Sequence, residues 1–246
     1  MGIRAFIFDM DGTILHTLPD LAAATNEALG QMGFPARTYD EILGFMGDGG
    51  ARVIERSVPP DTPPELIWRT FELWRSLYIG CGYALTAPFP GVVDVLEELR
   101  ERGVKTAVLS NKFDEGTRQL AERFFPGLFH LVRGDAPPAP RKPDPTVLLH
   151  MLDTLGVRPC EAAYVGDAIV DVQVARNAGV RAVGVSWGYD AANPLPACEL
   201  DAYLIEPREL LDLLDSAALF AAFSSTALCS GLEGTSSLSS CKTTIT

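Results

Sequence analysis

The stretch Ile3–Thr13, IRAFIFDMDGT, decides how the whole chain reads. Ile3 to Phe8 is an apolar run too short for a helix, of the kind that suits a strand buried on both faces of a parallel sheet. It runs straight into Asp9 and Asp11, and Gly12 permits a tight turn behind them. In open α/β sheets ligands bind at the carboxyl ends of the strands. The segment therefore predicts a fold and a site together. Two carboxylates one residue apart share a small volume while pointing in different directions, so one can act as nucleophile and the other as acid/base. A calcium loop of the EF-hand kind fits poorly. It needs a preceding helix, Gly at its sixth position and Glu at its twelfth, whereas from Asp9 those places hold Ile14 and Asp20.

Five further short apolar runs follow, Val104–Leu109, Leu128–Val132, Ala162–Val165, Val180–Val185 and Ala202–Ile205. Between them lie helix-length amphipathic stretches at Val92–Arg102, Glu115–Phe124, Pro145–Leu155 and Val170–Ala178. This alternation predicts a doubly wound, mostly parallel α/β sheet. From about Leu18 to Ala87 the pattern is helical instead, bounded by Pro19 on one side and Pro88 and Pro90 on the other. The expected organisation is a discontinuous α/β core at 1–16 and 88–215, a small all-helical insert at 17–87 that two linkers would let move as a lid, and a Ser/Thr-rich tail at 216–246. The stripe Trp68, Phe71, Trp74, Tyr78 on the insert reads as the core of a helical unit.

Of 246 residues, 47% are hydrophobic and 21% charged, enough for a full core. Lys and Arg total 20 against 32 Asp and Glu, a net charge of -12, the wrong sign for a surface that follows nucleic-acid backbone. A single phosphate remains compatible, since a metal ion and one or two placed cations reverse the local field. Five scattered cysteines without a CxxC pair argue against a zinc site or a disulfide framework and for free thiols in the cytoplasm. No segment reads as a signal peptide or membrane span. The expected state is a monomer or homodimer.

Three more segments carry chemistry. VKTAVLSN ends in Ser110 and Asn111, which offer a hydroxyl, an amide and backbone N–H groups to phosphate oxygens, and read equally well as cap or turn residues. In RKPDPTVLL, Asp144 and Pro145 mark a helix start, which fixes Lys142 just ahead of it. GDAIVD places Asp167 and Asp171 four apart at a helix start, where they form half of a magnesium site or merely cap the helix. Together the four segments supply a nucleophile, an acid/base, phosphate donors, a cation and a metal site. Phosphate monoester hydrolysis requires acceleration up to roughly 10²¹, far beyond what one group contributes.

DMDGT, VLSN, RKPDP and GDAIVD, in that order, resemble the four motifs of the haloacid dehalogenase superfamily over about residues 1–215. The resemblance implies a metal-dependent phosphatase in which Asp9 attacks phosphorus, Asp11 serves as acid/base, and Gly12, Thr13, Ser110, Asn111 and Lys142 bind the phosphoryl group. It implies Mg2+ held by Asp9, the Asp11 carbonyl and Asp167, with Asp171 in support, and a mobile helical cap. Within the superfamily, MGDGGARVIERSV (46–58), SNK (110–112) and VGVSWGYD (183–190) resemble phosphoglycolate phosphatases. That likeness makes 2-phosphoglycolate the first candidate substrate and Arg52 a candidate partner for its carboxylate. Gly47, Gly49 and Gly50 read either as part of that site or as a helix–helix turn. Ala168 stands where the fourth motif usually carries Ser or Thr, a change expected to make activity modest. A sugar-phosphate mutase and a silent metal- or phosphate-binding regulator are the alternatives. A dehalogenase would not need Asp11.

Overall fold

The computed structural model describes residues 2–189, 195 and 200–215, and the expected tail at 216–246 lies outside them. In chain order the elements are β1 (Ala5–Phe8), β2 (Leu15–His16), α1 (Leu18–Gln31), α2 (Tyr39–Phe45), α3 (Gly50–Ser57), α4 (Pro64–Gly80) and β3 (Ala87–Pro88). They continue with α5 (Val92–Glu101), β4 (Lys105–Phe113), α6 (Asp114–Phe124), β5 (Leu131–Asp135), α7 (Thr146–Leu155), β6 (Ala162–Gly166), α8 (Ile169–Ala178), β7 (Arg181–Val185), β8 (Ala202–Leu204) and α9 (Glu209–Asp215).

Six strands form one sheet in the order β5-β4-β1-β6-β7-β8, all parallel, as the alternating sequence pattern predicts. β1 is central: Phe8 is in register with Val108 on one side and Val165 on the other. The period of two along β1 divides its side chains between two layers. Phe6 and Phe8 pack with Val95, Leu96 and Leu99 of α5 and Leu120 of α6. Ala5 and Ile7 pack with Leu148 and Met151 of α7 and Val172 and Ala175 of α8. Because both faces of β1 are covered, its polar continuation emerges only at the strand's end, beside the ends of β4 and β6.

β4 differs from the expected Val104–Leu109 run by continuing to Phe113. Its register against β5 shifts between the pairs Leu109↔Arg133 and Phe113↔Asp135. Such a bulge re-aims side chains. It carries Ser110, Asn111 and Lys112, all buried, along the sheet's carboxyl edge.

The helices α1–α4 leave and re-enter the sheet layer through a ribbon in which β2 pairs antiparallel with β3, Leu15 opposite Pro88 and His16 opposite Ala87. Sequence patterning gave no strand here, because two residues per strand carry no period. In α4, Trp74 and Tyr78 are fully buried and stack at 5.4 Å, whereas Trp68 at the other end of the stripe is exposed. Buried Asp20 fastens α1 to the returning chain, accepting hydrogen bonds from Leu85 N–H at 3.0 Å and Thr86 Oγ1 at 2.7 Å. Asp20→Ala leaves both donors without that acceptor and is expected to cost about 2 kcal/mol, lowering Tm by about 4–8 °C in a thermal melt. An unchanged Tm would show that this anchor does not hold the insert.

Candidate active site

Asp9 leaves β1 with its backbone N–H on Val165 O at 2.9 Å, so the sheet fixes where its carboxylate begins. Gly12 turns the chain at φ 87°, and a Cβ there would overlap Asp167 Oδ2. Glycine at this position is what lets the β6 loop approach the β1 loop. Asp167 is held from both sides, by Thr13 Oγ1 on its Oδ1 at 2.7 Å and by Tyr189 N–H on its Oδ2 at 2.9 Å.

Lys142 is buried among three acceptors. Its Nζ donates to Asp171 Oδ1 at 2.6 Å and Tyr164 OH at 2.9 Å. It lies 2.9 Å from Asp9 Oδ1 but off the hydrogen-bonding direction, so Asp9 Oδ1 is a buried oxygen with no hydrogen-bond partner. The lysine backbone is clamped by Asn111, whose Oδ1 accepts from Lys142 N–H at 3.0 Å while its Nδ2 donates to Lys142 O at 3.2 Å. Ala168 N–H donates to Asp171 Oδ2 at 3.0 Å, so Asp171 both caps α8 and faces the lysine.

A second buried lysine serves the other carboxylate. Lys112 Nζ lies 3.0 and 3.1 Å from the two oxygens of Asp11 and donates to Tyr78 OH of α4 at 3.0 Å. Ser110 Oγ accepts from Lys112 N–H at 3.3 Å. These residues enclose, with the insert, a cavity of about 70 Å³. Asp9, Asp11, Ser110, Asn111, Lys112 and Asp167 line its floor, and Leu21, Leu43, Met46, Val53 and Trp74 form most of its roof. Gly47 and Gly49 lie between α2 and α3, Gly50 opens α3, and all three also line it, so the glycine cluster is both a helix–helix turn and a cavity wall.

Asp9, Asp167 and Asp171 present one oxygen each within 4.8 Å of one another, all three buried. Three carboxylates against one ammonium leave two formal negative charges inside the protein. Burial, followed by repulsion from Asp171 and Asp9, pushes Asp167 up to about 8. Burial also raises Asp171 to about 6 despite Lys142. Burial works against the Lys142 ammonium, but Asp171 and Asp9 outweigh it and hold the group well above its ordinary value. All-oxygen donors, two uncompensated charges and the partnerless Asp9 Oδ1 fit a hard divalent cation such as Mg2+.

The structure brings together nine of the sequence's ten candidate positions: Asp9, Asp11, Gly12, Thr13, Ser110, Asn111, Lys142, Asp167 and Asp171. Arg52 is not with them. It sits half exposed on α3, paired with Glu55 one turn on, and does not line the cavity, because the cavity-facing side of that helix is taken by Gly49, Gly50 and Val53. Sequence reasoning gave no role to Tyr164, Tyr78 or Tyr189, and noted Lys112 only as the neighbour of Asn111 and within SNK. Tyr78 and Tyr164 sit in apolar stretches where an aromatic ring reads as core, which they also are, whereas Tyr189 is half-buried and lies in VGVSWGYD. The signals available were a lysine immediately after Ser110 and Asn111 and a tyrosine within VGVSWGYD.

The sequence profile of the haloacid dehalogenase-like hydrolases matches residues 6–185, and the chain belongs to that family. Among curated relatives it is 33% identical over 215 residues to a phosphoglycolate phosphatase of Pseudomonas putida, covering 85% of this chain and 78% of that one. It is 32% identical over 210 residues to a phosphoglycolate phosphatase of Thiobacillus denitrificans, covering 82% and 91%. A crystal structure from Lactobacillus delbrueckii subsp. bulgaricus superposes with TM-score 0.79 at 31% identity, covering 87% and 99%.

Asp167 and Asp171 carry raised pKa values in the metal-free fold, so between about 4 and about 8 the folded chain holds protons that the unfolded chain has released. Stability of the metal-free protein is therefore expected to fall as pH rises through that window. Mg2+ should stabilise more at pH 8 than at pH 5, because its ligands must be deprotonated. Melting curves with EDTA and with Mg2+ at the two pH values check this, and a Mg2+ effect independent of pH would contradict the site.

Proposed function

We propose that this chain is a magnesium-dependent phosphatase acting on a small phosphorylated metabolite, 2-phosphoglycolate first among the candidates, through an aspartyl-phosphate on Asp9. The observation that carries the reading is Asp9 Oδ1 itself. It is a carboxylate oxygen at the sheet's carboxyl edge, buried beside an ammonium at 2.9 Å, without a hydrogen-bond partner, in a residue that lines a cavity.

In this reading an Asp9 oxygen attacks phosphorus as the ester P–O bond breaks, and Asp11 gives its proton to the leaving oxygen. Asp11 then takes a proton from water, the water oxygen attacks phosphorus, and the Asp9–phosphorus bond breaks to release phosphate. Lys142 and Ser110 are positioned to oppose charge on the phosphoryl oxygens, and Asn111 keeps Lys142 in place. Asp9, Asp167 and the Asp11 carbonyl would hold Mg2+, with Asp171 orienting Lys142; when bound, the cation supplies neutralisation of the charge between attacking carboxylate and phosphoryl group. The helices α1–α4 serve as the cap that excludes water from the acyl phosphate.

The largely apolar roof of Leu21, Leu43, Met46, Val53 and Trp74 favours a compact ester over a sugar phosphate, whose hydroxyls would lose hydrogen bonds against such a wall. The relatives named phosphoglycolate phosphatase support the same choice. Phosphate release from a panel of 2-phosphoglycolate, hexose phosphates, nucleoside monophosphates and pyrophosphate, with and without Mg2+, tests it. Expected is metal-dependent turnover led by 2-phosphoglycolate, with Asp9→Asn lower by about 10³-fold or more. Release led by a hexose phosphate would overturn the substrate assignment, and full activity in Asp9→Asn would overturn the mechanism.

A further inference from the structure

Lys112 is the only cationic side chain among the described residues lining the cavity. It is buried, and its three ammonium protons face two acceptor groups: Asp11, with oxygens at 3.0 and 3.1 Å, and Tyr78 OH at 3.0 Å, whose ring lies 4.4 Å from the same nitrogen. Both oxygens of Asp11 are thus engaged by one ammonium. An acid/base group held this way is turned to the lysine rather than to a leaving oxygen. A buried ammonium stripped of its carboxylate is strongly disfavoured, so Asp11 leaves only when another anion takes its place.

We propose that Lys112 recognises a carboxylate at the end of the substrate remote from phosphorus, and that this carboxylate displaces Asp11 from the ammonium and frees it to face the leaving oxygen. The inference rests on the phosphatase reading above and names what its substrate must carry. No heavy-atom bond changes in the exchange: one ion pair, Lys112 with Asp11, is replaced by another, Lys112 with substrate, and the released Asp11 carboxylate takes up from solvent the proton that it then gives to the leaving oxygen. Tyr78 keeps its hydrogen bond throughout, which holds Lys112 at the cavity and lets the insert take part in recognition. Arg52, paired with Glu55 outside the cavity, is not needed. A neutral ester binds through its phosphoryl group but offers nothing to exchange, so discrimination falls mainly on kcat rather than on KM.

The test compares 2-phosphoglycolate with ethyl phosphate, which has a methyl group where the former has its carboxylate, and with phosphoethanolamine, which carries a cation. In Mg2+ the wild type should turn over the three with kcat in the order anionic, neutral, cationic. In Lys112→Met the ratio of kcat/KM for 2-phosphoglycolate over ethyl phosphate should fall by about 10- to 100-fold, the range for loss of a charged hydrogen bond. Lys112→Arg should recover part of that ratio, and melting curves establish that the variants fold. A ratio unchanged in Lys112→Met, both substrates falling together, would show that Lys112 serves Asp11 alone and would overturn the assignment. If Lys112→Met does not fold, the wild-type series decides: equal kcat on ethyl phosphate and 2-phosphoglycolate overturns it. A wild type that hydrolyses no ester at all overturns instead the phosphatase reading beneath it.

Discussion

Everything at the sheet's carboxyl edge depends on the burial of three carboxylates, Asp9, Asp167 and Asp171, around the single ammonium of Lys142. Charges taken out of water are tolerated only where geometry and further hydrogen bonds compensate them. The surrounding residues are explained by that requirement. Thr13 and the Tyr189 N–H satisfy Asp167, the Ala168 N–H satisfies Asp171, and Tyr164 and the Asn111 amide hold Lys142. Among the buried oxygens of these three carboxylates, Asp9 Oδ1 is the one left without a hydrogen bond, and Asp9 is the residue to which the proposed chemistry assigns the attack.

The constraint also explains why the site is assembled from chain segments so far apart. Asp9, Asn111 and Asp167 meet because β1, β4 and β6 lie side by side in parallel and end at one edge, and Asn111 holds Lys142, from the segment between β5 and α7, at the same place. Two of the ties between the insert and that edge reach the carboxylates of the site. Tyr189 accepts the Thr17 and Leu18 N–H groups at the start of α1, both at 3.0 Å, while its own N–H holds Asp167. Tyr78 of α4 holds Lys112, which in turn holds Asp11. The position of the helices is therefore felt by one carboxylate of the candidate cation site and by Asp11, the proposed acid/base.

Much of this was legible in the chain. The apolar run ahead of Asp9 and Asp11 gave a central parallel strand, and the six short runs separated by amphipathic stretches gave the sheet. Strand ends marked by Asp, Ser, Asn and Lys gave the candidate site residues, because at the carboxyl edge of a parallel sheet polar residues on separate strands converge. The β2–β3 ribbon was invisible, since two residues pair there with no hydrophobic period. The bulge in β4 was equally hidden, so Lys112 read as a neighbour of Asn111 although the shifted register buries it against Asp11. Arg52 illustrates the opposite error. Its charge suited a substrate carboxylate, but the packing of Gly50 and Val53 into the cavity turns the arginine outward to Glu55.

The central claim is that Asp9 itself carries the phosphoryl group during turnover. Substrate labelled with radioactive phosphorus, mixed with enzyme and Mg2+, quenched in acid on the millisecond scale and digested, tests this most directly. The account predicts label on the peptide containing Asp9, rising and decaying within one turnover. Label passing straight to inorganic phosphate at every quench time, with inversion of configuration at phosphorus, would contradict it.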